Sequence, residues 1–319
     1  MLKAIIKTTF VGTALVSCVG LASAQDFPER PLEFIAGYGP GGGHDTMMRT
    51  MARLIEQEDM LDVPINVVNK DGGNSAVSIG YLNAREGDPH YLMAITSSHI
   101  STPLSTNIGL DYSDFTPIAR LGIDPELLVV NAQSGINSLD ELQQSEEMLN
   151  VGGTATGSIE HIVTMQLAES TGLNLNFIPF QGDGEVVTAL LSNQIDFAIT
   201  NPGAVTDYLN SEKFKAIAVS TEERIDSLPD VPTFVEQGVD ITISLFRGVT
   251  APPGISDAER EALTEIVTNL LESEAWQKEY VEPNAIVPLV ITGEEFADYL
   301  GETETVYRKV LGELDMLSN

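Results

Sequence analysis

Short apolar runs alternate with amphipathic stretches along nearly the whole chain, the pattern of α/β units built on parallel strands. Leu32, Phe34, Ile35 and Ala36 predict a first strand. Further runs at 63–68 (VPINVV), 91–95 (YLMAI), 127–131 (LLVVN), 195–199 (IDFAI) and 214–219 (FKAIAV) predict others. Met47, Met48, Met51, Leu54 and Ile55 recur at helical spacing behind the first strand. Near the end, Ser256 and Glu259 form a capping-box pattern ahead of Leu263, Ile266, Val267, Leu270 and Leu271. Thr292 and Glu295 repeat it before Phe296, Tyr299, Leu300, Val306, Tyr307 and Val310, so the chain is expected to end in helices. No internal repeat or low-complexity linker interrupts this order.

The connections carry the chemistry. "GYGPGGGHDTMM" at 37–48 places a glycine loop between a strand and a helix, with Asp45 expected at the N-cap. Such a loop presents backbone N–H groups at the positive end of a helix dipole, which suits a phosphate or a carboxylate. A nucleotide is disfavoured: there is no G-x-x-x-x-G-K-[ST] sequence, and Pro40 interrupts a dinucleotide fingerprint. Loops of similar character follow. They are "KDGGNSAVSIG" (70–80), "TSSHIST" (96–102) with Ser97 and Ser98, "GGTATGSIEHI" (152–162) with Ser158 at an N-cap, "PFQGDGEVV" (179–187) and "TNPGAV" (200–205). All are expected at the carboxyl ends of strands, where open α/β sheets bind ligands, and together they predict a polar, uncharged pocket of amides and hydroxyls.

The N-terminus supplies an address. Lys3 and Lys7 precede an apolar stretch from Thr8 to Leu21, and Ala22-Ser23-Ala24 is a signal-peptidase pattern, so residues 1–24 read as a cleaved signal peptide and the product as periplasmic. The apolar core is short for a membrane span of ~20 residues. Leu15-Val16-Ser17-Cys18 resembles a lipobox, an alternative that leaves a lipid anchor on Cys18. Cys18 is the only cysteine, and cleavage after Ala24 removes it together with any disulfide or thiolate chemistry. The formal net charge of −31 becomes −33 once Lys3 and Lys7 are lost with the signal, which argues against nucleic acid and anionic membranes as partners and fits a saline habitat.

Enzyme signatures are missing: there is no G-x-S-x-G elbow and no H-E-x-x-H helix. His44, His90, His99 and His161 have no ligand spacing, so neither a metal site nor a cofactor is expected. His44 and His161, at helix starts, are read as neutral hydrogen-bonding groups. Carboxylates are too abundant for any pair to stand out.

The ordered series "FPERPLEFIAGYGPGGGHD", "INVVNKDGGNSAVSIGYLN", "GGTATGSIEH", "PFQGDGEVVTALLSNQIDFAITNPG", "LPDVPTFVEQG" and "FRGVTAPPGIS" resembles the substrate-binding proteins of tripartite tricarboxylate transporters. The resemblance implies an α/β, two-lobed periplasmic binding protein fold with two crossover strands (type II), closing on a small organic acid, a di- or tricarboxylate. It places lobe one at 25–126 and 247–319 and lobe two at 127–246, with the chain crossing near 124–131 and returning near 244–250. It implies that Gly41, Gly42, Gly43 and Asp45, with Gly73, Asn74 and Ser75, hold a ligand carboxylate, and that Thr154, Ser158, Gln181 and Asn201 face them from lobe two. Asn74 and Ser75 depart from the family's usual glycine run, and Phe246 stands where the family often has tryptophan. Arg247, on the return strand, is expected either to grip the ligand carboxylate or to pair with a nearby acid. The implied partners are the carboxylate ligand and the membrane permease subunits of such a transporter, with the receptor a monomer. An extracytoplasmic sensor component or a hydrolase on the same scaffold is the alternative.

Overall fold

The computed structural model describes residues 27–319 except Ala155, Gln181 and Asn319. The expected signal peptide at 1–24, Cys18 and the expected ligand residue Gln181 therefore lie outside the described residues. Among the described residues no helix is long and apolar enough to cross a membrane.

Two sheets organise the chain. The first runs in the order β11 (Ile291–Thr292), β4 (Thr116–Asp124), β10 (Leu245–Ala251), β3 (Tyr91–Ile95), β1 (Leu32–Ala36), β2 (Ile65–Asn69). The second runs β7 (Leu175–Pro179), β6 (Leu149–Gly153), β8 (Phe197–Thr200), β5 (Leu127–Asn131), β9 (Phe214–Val219). In each, a parallel trio is extended on one side by an antiparallel strand inserted from elsewhere in the sequence: β10 between β3 and β4, β5 between β8 and β9. The chain leaves the first sheet after Asp124 and enters the second at Leu127. It returns to the first at Leu245, so the exchange expected between 246 and 247 falls inside β10, where Leu245 already faces Asp124 of β4.

The predicted strands at 91–95, 127–131 and 214–219 match β3, β5 and β9, whereas those at 63–68 and 195–199 start two residues later than expected. β5 explains its continuous apolar run: Leu127, Leu128, Val129 and Val130 are all fully buried, because helices cover both faces of its sheet. Connecting helices are α1 (Gly43–Gln57), α2 (Ala76–Asn83), α3 (Ser98–Ser105), α4 (Leu139–Gln143), α5 (Ile159–Thr171), α6 (Asp183–Leu191) and α7 (Pro202–Asn210). α1 presses Met47, Met48, Met51, Leu54 and Ile55 against Phe34 and Leu92, each burial contributing on the order of 1.5–3 kcal/mol.

After β10 come α8 (Asp257–Leu271), a short α9 (Glu274–Trp276) that runs through a π-helical turn at Gln277–Val281 into α10 (Glu282–Asn284), and the long α11 (Gly293–Glu313). The Ser256–Glu259 capping box forms as expected. At α11 Thr292 is the N-cap but its side chain makes no capping bond, and Val306, expected on the apolar stripe, is exposed. α11 packs through Phe296, Leu300, Tyr307, Val310 and Leu311, with Tyr299 partly buried beside them, and leaves Val306 off this stripe.

Candidate functional site

The loops at the strand ends of both sheets converge on one cleft of about 1100 Å³. From the first sheet come Tyr38 through His44, Asn74, Thr96, Ser97, Ser98 and Ser101. From the second come Thr154, Thr156, Ser158, Glu160, Phe180, Gly182, Asp183 and Asn201, and the strands joining the sheets add Asp124 and Arg247. A second depression of about 1160 Å³, rimmed by Glu222, Glu223, Asp226, Asp240 and Glu282, is touched by none of these loops.

The glycine loop owes its shape to Asp45. Gly41 takes the left-handed conformation (φ 82°), which a side chain rarely tolerates, and Gly42, in extended backbone, caps α1. Asp45 is thus not the N-cap. It is the third helical residue, and its carboxylate faces away from the cleft to accept hydrogen bonds from the Gly41 N–H, Arg49 Nε and Asn69 Nδ2, each at 2.8 Å. Burial opposes its ionisation, but the Arg49, Gly41 and Asn69 hydrogen bonds and the Arg49 charge outweigh it, and the carboxyl titrates below its ordinary range. Asp45 therefore braces the loop so that the first N–H groups of α1, which have no intrahelical acceptor, open into the cleft.

His44 fixes the floor. Its Nδ1 accepts from the Gly37 N–H at 3.3 Å, which leaves Nε2 to donate to Thr96 Oγ1 at 3.3 Å. Burial, Arg247 and His99 push its pKa down to about 3, so the ring is neutral, as read from its place at a helix start. A hydroxyl chain continues from Thr96 to Ser98 (3.3 Å) and Ser98 to Ser75 (3.2 Å). Ser75 sits in that chain behind the cleft wall, and neither it nor Gly73 lines the cleft; of the second loop only Asn74 does. Its carbonyl Oδ1 accepts from Tyr38 O–H at 2.7 Å and its amide donates to Thr102 Oγ1 at 2.9 Å, so the departure from a glycine run ties two loops together.

The opposite wall corrects the expectation of an uncharged pocket. Asp124, Glu160 and Asp183 line it, and Glu126 lies behind Asn201. Thr154 and Asn201, expected to face the ligand, do line the cleft, but their donors are already given to acids: Thr154 Oγ1 to Glu160 Oε1 at 2.9 Å, Asn201 Nδ2 to Glu126 Oε1 at 2.9 Å. Ser158 is the N-cap of α5 as expected, accepting from the His161 N–H. The remaining oxygens Glu160 Oε2, Glu126 Oε2 and Asp124 Oδ1 are buried without a partner. Burial raises the pKa values of Glu126, Glu160 and Asp183 above their ordinary range, and repulsion from neighbouring carboxylates adds to it at Glu126 and Glu160.

Arg247 stands between the walls. Its guanidinium pairs with Asp124, both side chains nearly buried, so the ion-pair alternative is realised. Burial opposes its charge, yet Asp124 and Asp183 hold it protonated, and the same burial pushes neighbouring Tyr280 up to about 12. Arg247 also packs on the first residue of α1, where a Cβ on Gly43 would lie 2.6 Å from Nη1 and 3.0 Å from Nη2. The guanidinium is thus set beside the open N–H groups of α1.

Sequence reasoning missed Tyr38, Asp124, Glu160, Asp183 and Tyr280 as cleft residues. The signal was present in "GSIEH" and "QGDG", where Glu160 and Asp183 begin helices at strand ends, but an acid in a first helical turn is also an ordinary dipole partner.

The chain matches the family described as "Tripartite tricarboxylate transporter family receptor" over residues 48–313. Protein BugT of Bordetella pertussis is 28% identical over 305 residues, covering 92% of this chain and 91% of that protein. Among solved structures, a TctC solute-binding protein from Polaromonas superposes with a TM-score of 0.75 at 25% identity, covering 90% of this chain and 99% of that one. MatC from Rhodopseudomonas palustris, solved with bound malate, gives 0.75 at 24% (89% and 100% covered). An R. palustris protein solved with adipate gives 0.80 at 23% (90% and 98% covered). The two-lobed periplasmic binding fold with two crossover strands is common to them.

Proposed function

The chain belongs to the tripartite tricarboxylate transporter family of receptors, and from that premise we propose that it captures a small organic acid in the cleft between its sheets and delivers it to the permease subunits of such a transporter. The observation that carries this reading is the braced glycine loop, which turns the N–H groups of α1 into the cleft beside the Arg247 guanidinium. A carboxylate there meets backbone donors, a helix dipole and a cation together, an arrangement suited to oxyanions. Malate in one solved relative and adipate in another support the ligand class.

In this reading the lobes are 25–126 with 245–319, and 127–244, the return boundary moved from 246/247 because β10 begins at Leu245. The ligand contacts are Gly41, Gly42, Gly43, Asn74, Ser97, Ser98, Ser158 and Arg247. Asp45, Gly73 and Ser75 act from behind, and Thr154 and Asn201 act through the acids they orient. The protein works as a periplasmic monomer after removal of residues 1–24 and binds without chemical turnover. Calorimetry with carboxylates of graded length and charge, followed by analysis of the recovered ligand, tests this. The expected result is saturable binding with the acid returned unchanged. Conversion of the acid or of its ester supports the hydrolase alternative, and failure of every carboxylate to bind rejects the reading.

A further inference from the structure

Charge in the cleft does not balance for a purely anionic ligand. Arg247 is the only lysine or arginine among the described residues that line it, and Asp124 already neutralises that charge. Glu160 then faces the cleft with no cationic partner among the described residues, and Asp183 has only the Arg247 charge that Asp124 already pairs with. Glu160 is only 4% exposed; one carboxylate oxygen accepts from Thr154 and the other has no partner. Asp183 stays exposed to the cleft, at the start of α6 beside Gly182 and the half-buried ring of Phe180. A di- or tricarboxylate entering with one end on the α1 loop would bring its other negative end towards this wall.

We propose that the ligand carries a cationic nitrogen opposite its carboxylate, and that Glu160 and Asp183 receive that nitrogen, so that the substrate class is an amino-carboxylate. This rests on the carboxylate reading of the α1 loop and deepens it. An ammonium placed there donates to Asp183 and, once the Glu160 carboxyl turns its shielded, unpartnered oxygen towards the cleft, to Glu160, which removes the cost of leaving a buried carboxylate without a partner. Phe180 also lines the cleft and supplies an aromatic ring for the same charge. The two ends of the ligand then meet opposite charges on opposite walls, Arg247 with the α1 N-terminus on one and the acid pair on the other.

Isothermal titration at neutral pH with 4-aminobutanoate, 5-aminopentanoate, L-glutamate, glutarate, adipate and 1,5-diaminopentane tests the assignment. An amino-carboxylate is expected to bind at least tenfold more tightly than the dicarboxylate of matching length. Glu160→Gln and Asp183→Asn should each shrink that ratio about tenfold, a readout taken within each variant and so independent of how much of it folds. A dicarboxylate that binds as tightly overturns the inference and leaves the carboxylate reading standing. If it does so while taking up a proton, the acids serve as neutral donors instead. Binding of 1,5-diaminopentane with no carboxylate bound overturns the carboxylate reading, and failure of the whole series rejects both.

Discussion

Gly43→Val is expected to lower affinity for the cleft's ligand at least 100-fold, about 2.7 kcal/mol, while the protein remains folded. Gly43 opens α1 with ordinary helical backbone, so a side chain is tolerated there conformationally. The new Cβ, however, would lie 2.6 Å from Arg247 Nη1 and 3.1 Å from Cζ, a separation at which something must move. Arg247 lines the cleft, so a guanidinium pushed off Gly43 is displaced within the volume the ligand needs. Gly80→Ala, in α2 and outside the cleft lining, is the control: no atom lies within 4 Å of its added Cβ and its φ is not in the left-handed region. Calorimetry and thermal melts on both variants check this. An unchanged dissociation constant in folded Gly43→Val removes Arg247 and the α1 loop from the binding site together.

Arg247→Met should destabilise the fold by roughly 3–5 kcal/mol near neutral pH, because it leaves Asp124 as a buried carboxylate without a counter-charge. The loss has a defined pH dependence. Burial already raises the Asp124 pKa even with Arg247 beside it, and removing the guanidinium raises it further. A group whose folded pKa lies above its unfolded value near 3.8 carries no penalty below that unfolded value; the penalty grows as pH rises between the two values and is complete above the folded one. The variant should therefore approach the parent's stability as pH falls towards 4 and diverge from it above. Denaturant unfolding at pH 4 and pH 7.5 measures this, and an equal deficit at both values means that lost packing rather than the stranded charge is responsible. Asp124→Asn combined with Arg247→Met should recover most of the difference.

Much of this architecture is written in local pattern. β3 coincides with an uninterrupted apolar run, β5 and β9 with runs broken only at Asn131 and Lys215, and the Met47–Ile55 stripe marks α1 because a helix on a sheet must present one apolar face. The six connecting loops were legible as a site for the same reason, since glycines and hydroxyls at strand ends have no packing role to hide behind. What the pattern hides is pairing at a distance. Asp45 looked like an N-cap because its spacing to the helix fits one; only Asn69, the last residue of β2, reveals a brace instead. Asp124 and Arg247 are 123 positions apart and meet only because β4 and β10 are neighbours. Glu126 and Glu160 were lost among 47 acids, and only burial separates them from the solvated majority. Gly43 likewise became distinct from Gly41 and Gly42 once its neighbour across the fold, Arg247, was in place.

Ligand capture at the α1 N-terminus in the cleft is open to a residue-by-residue readout through backbone amide chemical shifts. In a ¹H–¹⁵N titration with the tightest-binding acid of the calorimetric series, the amides of Gly42, Gly43 and His44 should show the largest shifts, followed by those of Asn74, Ser98 and Glu160. Shifts confined to Thr221–Asp226 and Leu289, around the second depression, with Gly42 to His44 unmoved, would place the ligand elsewhere and contradict the account.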